Sequence, residues 1–248
     1  MSRKHQIGFG QRIKFAWMEH VGGLASSGQP ADEAWQELTA YLEREISTGS
    51  GAKRGSREKV RTVLAQVWLN VPGPLVAMRQ DGLALLRSLP MKDHLAVHWG
   101  MMGVVYPFWG AVAAAVGKLA ALQTEIQAAQ IHRRMQEQFG ERETVRVSTR
   151  RAFGSFVEWG VVKRGKGKQG YVLAPKRAVT DPKLAAWLVE AVVRQAQKDL
   201  MPGNVLARAP GLFPFTLPRL TSGMVSHAGR LEVVQHGLDE EVVRLRQG

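Results

Sequence analysis

A basic helix runs straight into a short hairpin with a cationic turn between residues 142 and 177. The helix is expected to begin near Arg142 and to end at Trp159 and Gly160, because glycine is common just past a helix C-terminus. Strand-forming residues follow at 161–163 and 171–173, separated by glycines and cations. This order is typical of a winged helix-turn-helix, which sets one helix in the DNA major groove and its wing on the phosphates.

The spacing of apolar residues predicts which side of this helix is buried. At about 100° per residue, one stripe of small and apolar side chains falls on a single face. The stripe consists of Val145, Ser148, Ala152, Phe156 and Trp159. We expect this face to pack into a core.

The opposite face of the helix is basic. It holds Arg146, Val147, Arg150 and Gly154, with Arg151 at its flank. Arginine presents a planar fork that matches guanine edges and phosphate oxygens. We predict groove contacts by Arg146 and Arg150. Further DNA contacts are predicted for Ser148, Thr149 and Arg151.

The turn of the hairpin is rich in glycine and cations and contains no acid. Its cations are Lys163, Arg164, Lys166 and Lys168. Side chains of this kind contact the sugar-phosphate backbone and carry no sequence information of their own. The hypothesis requires Arg146, Arg150 and this turn to face outward together, without neutralising acids beside them.

The residues before this helix supply the remaining parts of the module. A small-residue helix is predicted from residue 106 to 122, a short strand at 124–126 and a second helix over 128–139. In the second helix Ile131 and Met135 should face inward, and Arg133 and Arg134 should face outward and join the DNA surface.

The charge of the chain favours a polyanionic partner. Its 248 residues include 34 Lys and Arg against 21 Asp and Glu, a formal net charge of +13. Nucleic acid is the first candidate and an anionic membrane surface the second, and binding to DNA should weaken steeply with salt. The chain has no cysteine, which excludes disulfides and cysteine zinc sites. The charged N-terminus lacks a signal-peptide core, so we expect a cytoplasmic protein.

An uncharged run from Trp99 to Gly117 has about the length of a membrane span. Tyr106 and Pro107 should interrupt it, since a residue before proline avoids the helical region. The run therefore predicts two buried helices, over 92–105 and 107–122, and no membrane partner.

These patterns predict a mainly α protein with three parts. A helical domain over 1–104 contains a mobile linker at 47–56, and the winged helix-turn-helix with its small β-ribbon follows at 105–177. The third part, 178–248, should contain a helix that starts at Asp181 and Pro182, and then an extended proline-rich segment over 202–220. The tail over 230–246 fits either a hairpin or a last helix.

No catalytic or metal site is expected, and no cofactor. His94 and His98 lie four residues apart, but the glutamate of a zinc peptidase motif is missing and no third ligand is evident. Glu137, Glu141 and Glu143 lie near the basic helix, where a nuclease would hold magnesium, but no acid-plus-lysine arrangement of that kind is present.

Several short strings resemble the BrxA-type, DUF1819-like proteins of BREX phage-defence systems. They are residues 98–101 (His-Trp-Gly-Met), 106–108 (Tyr-Pro-Phe), 142–145 (Arg-Glu-Thr-Val), 150–151 (Arg-Arg) and 159–161 (Trp-Gly-Val). The resemblance is one of order over roughly Arg12 to Arg246. It implies a mostly helical protein that binds DNA without catalysis and assists a larger defence complex with other subunits.

The sequence thus predicts a non-catalytic protein that binds double-stranded DNA. The first alternative is an adaptor subunit that contacts proteins through its winged helix. A metal-dependent nuclease is the second alternative. The preference for a DNA sequence, and for DNA over RNA, stays open.

Overall fold

The computed structural model describes residues 9–46, 54–166, 170–196, 200–226, 229–236 and 240–246. In these ranges the chain is mainly helical with small sheets, as predicted. The helices are α1 (Phe15–Ser26), α2 (Ala31–Glu45), α3 (Arg54–Trp68), α4 (Val76–Ser88), α5 (Met91–Val105), α6 (Pro107–Ala120), α7 (Ala128–Phe139), α8 (Glu143–Glu158), α9 (Pro182–Ala196), α10 (Gly203–Ala207) and α11 (Ser222–Ser226). The strands are β1 (Ile126–Gln127), β2 (Val162–Arg164), β3 (Gly170–Leu173), β4 (Arg177–Ala178), β5 (Met201–Pro202), β6 (Phe215–Thr216), β7 (Leu231–His236) and β8 (Glu240–Leu245).

The uncharged run divides at Tyr106 and Pro107, as predicted. Tyr106 leaves the helical conformation, with φ −119° and ψ 83°, and ends α5. Pro107 occupies the first turn of α6, where its missing N–H has no helical partner to lose. No single described helix is long and apolar enough to cross a membrane; α5 and α6 reach that composition only as a pair bent by 118°.

The linker predicted at 47–56 overlaps the start of α3. Residues 47–53 lie outside the described part of the chain, but α3 already begins at Arg54. The first turn of α3 is held against α2, because the Arg57 guanidinium donates to the Ile46 carbonyl at 2.9 Å. Residues 54–56 belong to α3, which corrects the prediction that the linker extends to Ser56.

The middle of the chain shows the predicted order of helix, strand, helix, helix and hairpin. β3 lies between β1 and β2 in an antiparallel sheet, with Ile126 opposite Tyr171 and Val162 opposite Leu173. α7 packs against α8. α8 ends at Glu158, and Gly160, two residues beyond, adopts a positive φ of 70°. Glycine tolerates this conformation at little cost, so the hairpin follows the helix directly.

The C-terminal part agrees with the prediction only in places. Asp181 caps α9, since its Oδ1 accepts the Leu184 N–H at 2.8 Å. The proline-rich segment is not simply extended, because α10 and a short 3-10 helix at Pro210–Leu212 interrupt it. Proline suits a first helical turn, and this explains the error. The tail forms the β7–β8 hairpin, so the alternative of a last helix is wrong.

One cluster of buried apolar side chains includes residues from all three predicted parts of the chain. Trp68 of α3, Phe156 of α8 and Leu188 of α9 all belong to it and are essentially inaccessible. The predicted division into domains stays a prediction, but α8 and the ribbon are supported by packing that reaches across those boundaries.

Candidate nucleic-acid interface

An aromatic cluster fixes the orientation of α8. The Phe156 ring lies 5.1 Å from that of Trp99 and 4.9 Å from that of Trp109, measured between centroids. Such pairs contribute about 0.5–1.5 kcal/mol each beyond simple burial. Every member of the predicted apolar stripe is buried: Val145, Ser148, Ala152, Phe156 and Trp159. The opposite face of α8 consequently points to solvent.

Arg146 and Arg150 both lie on this exposed face. Of these two arginines, Arg146 forms an ion pair, and Arg150 has no partner among the described residues. Arg146 binds Glu143 through two hydrogen bonds, Nε to Oε2 at 2.7 Å and Nη2 to Oε1 at 2.5 Å. These bonds lower the pKa of Glu143 and raise that of Arg146. The expectation of an acid-free face is therefore wrong at Arg146. The spacing of three residues was a visible signal of this helical pair.

Ser148 and Thr149 are buried and are removed from the predicted contact surface. Their side chains are 5% and 1% exposed, and the Thr149 hydroxyl donates to the Val145 carbonyl at 2.8 Å. Because serine and threonine bond readily to the preceding helical turn, they fit the buried face of α8. Arg151, predicted at the flank, is half-buried, and its Nε has no hydrogen-bond partner among the described residues.

The two predicted arginines of α7 face different neighbours. Arg133 is exposed and pairs with Glu137 at 3.1 Å, whereas Arg134 lines a groove against the C-terminal part of the chain. The α7 residue close to Arg146 and Arg150 is instead His132. Its pKa is lowered, first by burial and then by the charges of those two arginines. Arg134 lies on the side of α7 that faces the C-terminal part of the chain.

The β2–β3 ribbon contacts α8 through an edge-to-face aromatic pair, and a cation lies over one of the two rings. The Tyr171 ring lies 4.8 Å from Phe153 of α8, and the Arg164 guanidinium lies 4.6 Å from the Tyr171 ring centroid. Lys163, Arg164 and Lys166 are exposed, and Lys168 lies outside the described residues. Cation–π contacts at exposed sites contribute about 0.5–1 kcal/mol, enough to bias where Arg164 points.

A carboxylate lies at the base of the ribbon, which corrects the expectation of an acid-free turn. A side chain on Gly170 would overlap the Glu125 carboxylate, and a Cβ on Gly165 would lie 2.8 Å from its Oε1. The two glycines, joined by a backbone hydrogen bond of 2.9 Å, therefore make room for Glu125. The sequence did not reveal this acid because it precedes β1 and is distant from the ribbon along the chain.

Arg12 is a cation of the exposed α8 face that sequence reasoning missed. Its side chain crosses α8 at Gly154, where a Cβ would lie 3.1 Å from Arg12 Cδ. The neighbouring Ile13 fixes this segment, donating its N–H to Ser155 Oγ and accepting from Trp159 Nε1, both at 2.9 Å. The absence of a side chain at Gly154 makes room for this crossing. No local pattern links residues so far apart in sequence.

The two histidines considered for metal binding share a carboxylate. Glu19 lies 3.0 Å from His94 Nδ1 and 2.8 Å from His98 Nε2, and Trp68 Nε1 donates to His98 Nδ1 at 3.0 Å. Burial raises the Glu19 pKa, but the hydrogen bonds and charges of both histidines bring it below its ordinary value. Among the described residues no group of three or more His, Cys, Asp or Glu could hold a metal. This arrangement ties together α1, α3 and α5.

Two of the carboxylates considered for a nuclease are bound by arginines of their own helices. Glu137 pairs with Arg133, and Glu143 pairs with Arg146. Glu137 uses one carboxylate oxygen in its pair, and Glu143 uses both.

Comparisons of the chain with protein-family models, with curated proteins and with solved structures found no match. The resemblance to BrxA-type proteins therefore stays a prediction. The chemistry of the site follows from its own residues: an exposed Arg150, an Arg164 that lies over the Tyr171 ring, and an Arg146 whose partner Glu143 is itself exposed to solvent.

Proposed function

We propose that this protein binds duplex DNA without catalysis, using a winged helix-turn-helix made of α6, β1, α7, α8 and the β2–β3 ribbon. In this proposal α8 is the recognition helix and the ribbon is the wing. The element order and the central position of β3 in its sheet support it. So does the orientation of α8, whose solvent face carries Arg146 and Arg150.

One observation carries most weight: Phe153, Tyr171 and Arg164 form a continuous contact from α8 to the ribbon. Duplex recognition needs a helix and a wing held in constant relation, because both must meet the same DNA. A merely solvated basic surface would not require this coupling.

The pairing of Arg146 with Glu143 is compatible with this function. Their side chains are 54% and 65% exposed, and exposed ion pairs contribute little to stability. A phosphate can replace Glu143 as the partner of Arg146, with release of condensed counterions from DNA. The formal net charge of +13 favours the same partner.

Fluorescence anisotropy with a labelled duplex, measured at several salt concentrations, tests the proposal. The informative variant replaces Arg150, Lys163 and Arg164 by Gln. A matched control replaces Lys59, Arg87 and Lys183, which are exposed cations on α3, α4 and α9. Both variants lose three positive charges. A difference between their affinities for DNA therefore reports the positions of the charges and not the net charge.

We expect the site variant to lose most of its affinity and to show a shallower salt dependence, with the control close to wild type. Equal effects of the two variants would reduce the interaction to nonspecific charge attraction. Wild-type affinity that vanishes at physiological salt, together with a co-purifying partner, would favour the adaptor function instead.

The resemblance to BrxA-type proteins extends the proposal to bacterial phage defence in the cytoplasm, alongside other subunits of a complex. Phage challenge of cells expressing the wild type or the site variant tests this extension. Protection by both proteins alike would separate any defence role from DNA binding.

A further inference from the structure

A second cationic surface lies away from the exposed face of α8. A groove of about 1500 Å³ runs between the end of α6, α7 and the segment after β5, and we refer to it as the C-terminal groove. Its cations come from five separate places in the chain: Lys118, Arg134, Lys176, Arg208 and Arg219. No aspartate or glutamate is among the described residues that line it.

The cations of the C-terminal groove form no ion pair with any described residue. Arg133, the neighbour of Arg134 on α7, and Arg146 of α8 both have carboxylate partners. Like charges around one concave space repel each other, and the low-dielectric walls focus their field. An anionic ligand would relieve this repulsion, so the groove has the electrostatics of a binding site for anions.

The lining also offers apolar surface. Leu122 is 78% exposed, and Leu217, Pro218 and Leu220 are half-buried along the same groove. Covering an exposed leucine is favourable because it removes apolar surface from water. The ligand that fits best therefore combines carboxylates or phosphates with apolar groups.

Nucleic acid fits the C-terminal groove less well than a peptide does. Single strands are held by bases that stack on exposed aromatic rings, but Phe213 and Phe215, the aromatic residues of the described lining, are buried. Phosphate and sugar would leave Leu122 uncovered, whereas an apolar peptide side chain would cover it.

We propose that the C-terminal groove binds an acidic peptide segment of a partner protein. Carboxylates of the peptide contact the five cations, and its apolar side chains cover Leu122 and Leu220. None of the described residues that line the groove belongs to α8 or to the β2–β3 ribbon, so one molecule can hold DNA and a protein partner together.

A short fluorescein-labelled peptide of Asp, Glu, Leu and Ser is the probe, titrated with the full-length protein in anisotropy measurements. The test variant is Arg208→Glu with Arg219→Glu, two exposed side chains for which the described structure shows no hydrogen bond. The control is Lys59→Glu with Arg87→Glu, which changes the net charge equally. We expect the groove variant to bind the peptide at least about tenfold more weakly and the control to match the wild type.

A second pair of measurements separates specific binding from charge attraction. Leu122→Ser, at an exposed position, should weaken peptide binding without altering the circular dichroism spectrum. A peptide with every leucine replaced by serine should bind the wild type more weakly.

The proposal is overturned if the wild type does not bind the peptide, or if the two charge-reversal variants weaken binding equally. Displacement of the peptide by a short single-stranded oligonucleotide at lower concentration than by unlabelled peptide would assign the groove to nucleic acid. If the groove variant loses affinity for duplex DNA and the control variant does not, the groove is part of the DNA surface.

Discussion

Arginine–carboxylate pairs occupy an exposed setting on α8 and a buried setting on α9. Arg146 and Glu143 meet in solvent, and each is more than half exposed. Glu190 is 0% exposed and accepts hydrogen bonds from Arg194 at 2.7 Å and Arg230 at 2.9 Å. Water and salt weaken the exposed pair. Glu190 is removed from water, so its negative charge must be balanced by the arginines that bind it.

The buried network connects distant parts of the chain. Arg230 precedes β7 and also pairs with Asp81 of α4 at 2.5 Å. Burial acts to lower the Arg230 pKa, but the hydrogen bonds and charges of Glu190 and Asp81 raise it above its ordinary value. This network ties α4, α9 and the C-terminal hairpin together, whereas the exposed pair on α8 can exchange partners.

The largest effect is expected for Glu190→Gln. Removal of this carboxylate leaves Arg194 and Arg230 partly uncompensated and should reduce the free energy of unfolding by about 3–5 kcal/mol. Urea denaturation measures the change, with Glu143→Gln as the exposed counterpart that should leave the midpoint where it is. Equal midpoints for both variants would remove the distinction between the two settings.

Arg150→Ala addresses the exposed face next. If Arg150 binds a base edge through two hydrogen bonds, its loss costs about 1–3 kcal/mol of binding free energy and relaxes the preference at one base position. A competition titration over a randomised duplex library measures both quantities. A uniform loss over all sequences would reassign Arg150 to a phosphate.

Lys163→Ala should have a smaller effect of a different kind. A phosphate contact carries no sequence information, so affinity should fall alike for all duplexes and the salt slope should decrease by about one. Titrations at a series of salt concentrations measure the slope. An unchanged slope would show that β2 does not approach the DNA.

Glu143→Gln should give the smallest effect, a gain of DNA affinity. The substitution frees Arg146 from its carboxylate partner and removes a negative charge from the proposed interface. Glu158→Gln, at the other end of α8, makes the same change of charge and serves as the control in the same anisotropy assay. A larger gain for Glu158→Gln than for Glu143→Gln would contradict the proposed orientation of the helix on DNA.

Much of the fold was predictable because local patterns determined it. The helix over 128–139 and the buried stripe from Val145 to Trp159 follow from apolar spacing, which tertiary packing here reinforced. The short helices in the proline-rich segment were not predictable in this way, since proline is compatible with extended chain and with a first helical turn.

The candidate site was predictable only where one element contains it. The exposure of Arg150, Lys163, Arg164 and Lys166 agrees with the sequence, but their contact with DNA stays a prediction. Ser148 and Thr149 were misassigned because residue type outweighed their place on the buried face. Arg12 and Glu125 were missed, since each reaches the site from another part of the fold.

The sequence by itself determined the long helices, the hairpin after α8 and the excess of positive charge, because helical periodicity, turn residues and composition are local or additive properties. Only the tertiary structure decided which of the described cations form ion pairs and which five meet in the C-terminal groove. Charge interactions depend on distance and burial in space, and residues far apart along the chain become neighbours only when the core has packed.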